Sequence, residues 1–255
     1  MRRIRVIPVL LLHRGGLYKT VKFNKPNYVG DPINAVKIFN EKEIDEIVIL
    51  DIDASRENRG PNFEQIAELA GEAFIPLAYG GGITDLEQIK KLFYLGVEKV
   101  ILNHSAFSQP TLISDAAKRV GSQSVVASID YKKNIFGKAT VYISNGATST
   151  KQKVLDYARK MVDYGAGELI LNSIERDGTY NGYDLEMIEM VSKAISVPVV
   201  AVGGASKVED FRLAVEAGAS AVAAGSMFVY QRPHNAVLIN YPNQEILKQE
   251  IFDRI

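Results

Sequence analysis

The chain has 255 residues, 47% apolar and 24% charged, enough to bury a sizeable core without covalent staples. Its 30 lysines and arginines balance 30 aspartates and glutamates, so neither a nucleic acid nor a membrane is expected as a partner through bulk charge. There is no cysteine, which excludes disulfides, thiolate catalysis and cysteine-bound zinc or iron–sulfur centres and makes an intracellular, cytoplasmic home the default expectation.

Residues 1–16 put a basic head before apolar residues, as a secretory signal does. The apolar run is short, however, spanning only 6–12 and containing Pro8, and no small-residue cleavage site follows it, so a buried strand is expected. No apolar run approaches the roughly 20 residues that cross a bilayer. Similar short runs recur at 46–52, 75–81, 99–103, 124–130, 168–174, 197–204 and 220–226. Each is apolar at nearly every position, the pattern of strands covered on both faces in a parallel sheet. Between them, 85–96, 153–165 and 207–218 carry apolar residues at helical spacing and end in glycine, a helix followed by its usual stop. Eight strands alternating with helices over this length predict an α/β fold, a single (βα)8 TIM barrel over 1–255. The tail from 230 to 255 reads as a turn followed by a closing helix.

Residues 76–100 align with 198–222 at a shift of 122: Pro76 falls on Pro198, Gly81-Gly82 on Gly203-Gly204 and Gly96 on Gly218. At the same shift 50–53 falls on 172–175. The chain therefore reads as two repeated half-barrels, about 1–122 and 123–255.

A barrel works at the carboxyl ends of its strands. Glycines there let backbone N–H groups approach an anion. The run 80–82, with Gly81 and Gly82, joined by 103–105 with Asn103, is expected to cradle one phosphate. Gly203 and Gly204, joined by Gly225 and Ser226, form the symmetric cradle. Two cradles on opposite sides suit a phosphorylated small molecule with a phosphate at each end. The segment 173–184 is too polar and glycine-rich to start a helix, so it is expected as a loop over the working face, where Asp177, Gly178 and Thr179 supply a turn and a hydroxyl. Asp130 ends an apolar strand and is a candidate general acid or base. Aligning 7–11 with 126–130 sets Leu11 opposite Asp130, and a leucine transfers no proton. At the other end, Arg5, Glu46, Lys99 and Glu168 open four strands; as residues alone they read as solvated strand ends, with a salt-bridged ring the alternative. His13, His104 and His234 show no metal-ligand spacing; His13 and His234 are expected on the surface and His104 near a phosphate. No metal or cofactor is implied.

Taken together, the motifs at 6–8, 50–55, 80–83, 120–130, 165–184 and 203–205 resemble the cyclase subunit of imidazole glycerol phosphate synthase, the glutamine amidotransferase of the histidine pathway, over essentially the whole chain. The resemblance implies a two-fold repeated barrel whose lower face docks a glutaminase subunit. Ammonia from that subunit passes a charged gate and crosses the barrel to the upper face. Residue by residue, the gate falls on Arg5, Glu46, Lys99 and Glu168. The phosphate sites fall on Gly82 and Asn103, and on Asp177, Gly178, Gly203, Gly204 and Ser226. One catalytic aspartate falls on Asp130 and the other on Leu11, where the acid is lost. The stretches 7–23 and 30–46 and the tail 237–243 look like a divergent branch associated with surface polysaccharides, whose members supply ammonia to a third protein that amidates a sugar. The leading expectation is an ammonia-conducting barrel of that kind. The alternatives are a working cyclase with Asp51 or Asp53 as substitute acid, a non-catalytic scaffold that activates the glutaminase, and the sibling isomerase of the same pathway, which needs no gate.

Overall fold

The computed structural model of the chain describes residues 4–254; the expected tail therefore ends one residue outside the described part. Eight parallel strands close a barrel: β1 (Arg5–His13), β2 (Ile47–Asp51), β3 (Leu77–Gly80), β4 (Lys99–Leu102), β5 (Val125–Lys133), β6 (Glu168–Ser173), β7 (Val199–Val202) and β8 (Ala221–Ala224). Neighbours pair in sequence order, and β8 returns to β1 with Arg5 opposite Ala221 and Pro8 opposite Ala224. The eight expected strands all form, and the barrel class is as the apolar runs predict.

Local chemistry explains the helices between them. The three predicted ones form at Leu86–Tyr94, Val154–Asp163 and Val208–Glu216. Asp85 caps the first by accepting the Gln88 N–H at 2.8 Å, as a short acidic side chain at a helix start does. Gly96, Gly165 and Gly218 end all three with φ near +100°, a backbone state that costs glycine little. Their apolar faces meet the outer sides of the strands in one large core. A second, smaller cluster fills the inside of the barrel, with Ile7, Val9, Leu11, Val48, Ile101 and Ile170 among its members. The tail closes as expected: Gln244–Leu247 is helical and runs on into Lys248–Phe252, burying Leu247 and Ile251. The Tyr241 hydroxyl donates to the Val6 carbonyl at 3.0 Å.

Three excursions depart from the simple alternation. After β1 the chain folds into antiparallel strands Gly16–Val21 and Asn24–Gly30. After β5 it does so again, at Ala139–Ile143 and Thr148–Lys153. After β8 a short ribbon pairs Tyr230–Gln231 with Ala236–Val237. All three leave the carboxyl ends of strands, so they stand around the working face. No helix among the described residues is long and apolar enough to cross a membrane.

Candidate functional site

The carboxyl ends of the strands surround one cleft of about 1150 Å³ of empty space, its open mouth included. Both glycine cradles open into it: Gly81, Gly82 and Asn103 on one side, Gly178, Gly203, Gly204, Gly225 and Ser226 on the other. The glycines are required by packing. Gly81 has φ +129° and a Cβ there would stand 2.5 Å from the Asp51 carbonyl oxygen; at Gly203, φ is +94° and a Cβ would stand 2.8 Å from that of Ser173. Gly82 and Gly204 are tighter or equal, against the carbonyls of Arg59 and Gly182. The two pairs that match at a shift of 122 thus share the same left-handed backbone and the same close approach to the neighbouring strand end.

Asp130 sits at the cleft floor and is buried. Asn103 donates through Nδ2 to the Ser128 carbonyl at 3.0 Å and to the Asp130 carboxylate at 3.3 Å, and the Ser128 hydroxyl lies 3.4 Å from the other oxygen. Burial pushes the Asp130 carboxyl up to about 7; hydrogen bonds from Asn172 and Ser128 offset part of this, and the negative charge of Asp177 adds to it. A carboxyl held there can both take and give a proton near neutrality. Leu11 also lines the cleft and is buried. Its strand neighbour is Leu50, whereas Asp130 pairs with Asn172.

Asp51 ends β2 and Asp53 follows it. The Asp51 carboxylate caps its own turn through the N–H groups of Asp53 and Ala54 and receives a two-pronged ion pair from Arg59, at 2.8 and 3.0 Å. Asp53 accepts from the Arg14 N–H at 2.9 Å and meets His13 Nδ1 at 2.8 Å. Burial acts against its charge, but those two partners hold its carboxyl below the usual carboxylate range. His13, expected on the surface, is therefore part-buried between Asp53 and the edge of Tyr18. His104 lines the cleft as expected, with Nδ1 3.0 Å from the Ser144 hydroxyl, and His234 is exposed.

Ser173 still belongs to β6, and residues 174–184 form no helix and pass over the cleft as a loop. Asp177 is buried there, bonded at 2.8 Å by Lys19 Nζ and at 3.3 Å by the Thr20 hydroxyl. Thr179 is not among the cleft-lining residues; its hydroxyl donates to the Arg176 carbonyl at 2.7 Å. Sequence reasoning missed Lys19, a buried lysine in the first excursion. Its Cε would lie 2.9 Å from a Cβ on Gly225, so its ammonium stem stands against the second cradle. Among the described residues no three histidine or carboxylate side chains converge to hold a metal ion.

At the lower end the four strand-opening charges are not solvated ends but a closed ring. Arg5 bridges Glu46 and Glu168, and Lys99 Nζ meets the same two carboxylates at 2.8 Å each. Both glutamates are buried. Burial works against the Arg5 charge, and Glu168 and Glu46 outweigh it, raising its pKa. Between this ring and the cleft lies the apolar cluster of the barrel interior.

Residues 5–234 match a family model described as histidine biosynthesis protein. A Pseudomonas aeruginosa protein named putative imidazole glycerol phosphate synthase subunit hisF2 is 52% identical over 95% of this chain and 97% of its own length. One from Leptospira interrogans, named putative imidazole glycerol phosphate synthase subunit HisF, is 47% identical over 96% of the chain and 97% of itself. One from Alkaliphilus metalliredigens, named imidazole glycerol phosphate synthase subunit HisF, is 40% identical over 89% and 90%.

Proposed function

The chain belongs to the histidine biosynthesis protein family as a HisF-like member, and from that membership and the contrast between its two ends we propose an ammonia-conducting subunit of a cytoplasmic glutamine amidotransferase complex. A glutaminase subunit docks on the lower face and releases ammonia at the ring of Arg5, Glu46, Lys99 and Glu168. That ring is the gate. Above it the bore is lined by apolar side chains, which favour neutral ammonia over the ammonium ion because a bare charge is costly among them. The nitrogen emerges in the cleft, where Gly81, Gly82 and Asn103 hold one phosphate of a phosphorylated ligand. Asp177, Gly178, Gly203, Gly204, Gly225 and Ser226 hold the other, and Lys19 adds a cation beside them; Thr179, outside the cleft lining, takes no part. Asp130 serves as the acid/base group.

The observation that carries this reading is the complete gate together with Leu11. Closing a ring with ammonia and expelling a second product calls for acid/base groups on both sides of the cleft, and one side has a leucine. The nitrogen therefore goes on to another acceptor, a sugar of a surface glycan, through a separate amidating protein. The test is reconstitution with the glutaminase subunit and glutamine labelled with nitrogen-15 in the amide. Label is expected in an amidated sugar and absent from histidine-pathway products; label in no product at all sinks the idea.

A second reading is a working cyclase, and Asp130 favours it, since a carboxyl poised at about 7 can act in both directions alone. Asp51 and Asp53 are weak substitutes, because both are committed to ion pairs. Turnover of the histidine-pathway bisphosphate with saturating ammonium separates the readings. Activity only in Leu11→Asp supports departure from that chemistry, and activity in the unaltered chain supports the cyclase.

A further inference from the structure

The balanced charge of the whole chain conceals a segregation. Residues 14–30, 131–153 and 230–243, which contain the three excursions together with the end of β5, hold ten lysines and arginines and not one aspartate or glutamate. The rest of the chain therefore carries the excess of carboxylates. Those that stand near the mouth are already engaged: Asp51 with Arg59, Asp53 with His13, Asp177 with Lys19, and Asp184 with Lys133. Lys19 and Lys133, the partners just named, belong to these segments, but other cations there are not so engaged. Lys22, Lys25, Lys138, Lys151 and Arg232 are exposed, and among the described residues none of them is in an ion pair with a carboxylate.

Large apolar side chains stand among these cations. Ile135 and Phe136 form the tip of the second excursion and are 93% and 86% exposed. Val237 and Leu238 are exposed on the third and Tyr28 on the first. The excursions are joined into one rim. The Lys22 N–H donates to the Asp177 carbonyl at 2.9 Å, Phe23 lies 3.1 Å from where a Cβ on Gly146 would be, and Arg232 stacks 4.7 Å over the ring of Tyr180.

We infer that this rim docks a protein with an acidic face around an apolar socket, which closes over the cleft mouth and takes the nitrogen there. The inference rests on the ammonia-conducting reading and names the partner on its exit side. Unpaired lysines steer an oppositely charged face into register. Exposed aliphatic and aromatic tips give the contact an apolar centre that excludes water. Sealing matters for this cargo, because ammonia that meets bulk water near neutral pH becomes ammonium and is lost.

The test uses the barrel with its glutaminase subunit, cross-linked in its own cells with a carbodiimide that joins amines to carboxylates. One protein is expected to be linked through Lys138 or Lys151 to its aspartates or glutamates. The purified protein should then bind the complex with a salt-sensitive on-rate, and tenfold or more weaker to Lys138→Glu/Lys151→Glu and to Ile135→Asp/Phe136→Asp. Both double variants change exposed side chains outside the cleft, so glutaminase stimulation should be unchanged. Failure to find any protein linked through those lysines overturns the inference, as does equal affinity for the variants. Sedimentation of the complex with phosphatidylglycerol-containing vesicles, lost in the same variants, overturns it in favour of a membrane surface. Should the partner bind but no nitrogen-15 reach its acceptor, the docking stands and the ammonia reading falls.

Discussion

On the β1–β2 side of the cleft Leu11 pairs with Leu50; at the matching place on the β5–β6 side Asp130 pairs with Asn172. The frames are alike. β1 and β5 are both nine residues long, both run on into antiparallel excursions, and each side has its left-handed glycine pair packed against a neighbouring carbonyl. One side thus offers an apolar wall and the other a buried carboxyl, within a single backbone plan. Backbone geometry and side-chain chemistry have separated. The tightly packed glycine pairs come in duplicate, while the buried strand-end carboxyl is single.

The sharpest way to break the shared frame is Gly204→Ala. It sets a Cβ into the Gly182 carbonyl at φ +111°, and a clash with backbone at a left-handed position costs on the order of 3 kcal/mol or more. The melting temperature should fall by ten degrees or more, and Gly82→Ala should do nearly the same if the two sides are equivalent. Next comes Lys19→Met, which removes the ion pair between the first excursion and Asp177 and leaves that carboxylate buried without its cation. A loss of about 2–3 kcal/mol is expected in urea unfolding, with weaker binding of a phosphorylated ligand measured by calorimetry.

Leu11→Asp tests whether the chemical difference is one residue deep. It should cost about 1–3 kcal/mol, and cyclase turnover should rise above that of the unaltered chain; no rise would place the difference beyond this position. The smallest effect is that of Asp130→Asn. Because the folded carboxyl is pushed up to about 7, above its unfolded value, the neutral form fits the native site. Its contribution to stability is complete below about pH 4 and is lost as pH rises through 7. The variant should therefore melt a few degrees above the unaltered chain at pH 8 and show no advantage at pH 4, as followed by circular dichroism.

Much of this was legible in the residues. The apolar runs locate all eight strands because parallel strands are covered on both faces and need no alternation. Gly81-Gly82 and Gly203-Gly204 were visible as a repeat because close backbone contact leaves no other residue. The lower ring was ambiguous: Arg5 or Glu168 alone looks like any charged strand end, and only barrel closure brings four charges from distant positions into contact. The excursions were not legible. Inside the first excursion Lys22, Phe23 and Lys25 take left-handed backbone without glycine, so the usual turn signal is missing there, and exposed strands such as Asn24–Gly30 show no apolar rhythm; Asn145-Gly146 in the second was a turn signal that went unread. Lys19 was missed for a related reason, since a lysine is taken as exposed unless its partner, here 158 residues away, is known.

Barrel closure joins Arg5 to Ala221 and the Val6 carbonyl to Tyr241, pairing one segment with two others made much later. Contacts between positions so far apart in sequence form late and slowly. During translation the outer edge of β1 stays unpaired until β8 has left the ribosome, and the ring of four charges cannot close before Glu168 joins the three already made. A growing chain therefore carries an open strand edge for most of its synthesis, and the barrel interior is enclosed only once the last βα unit has been added.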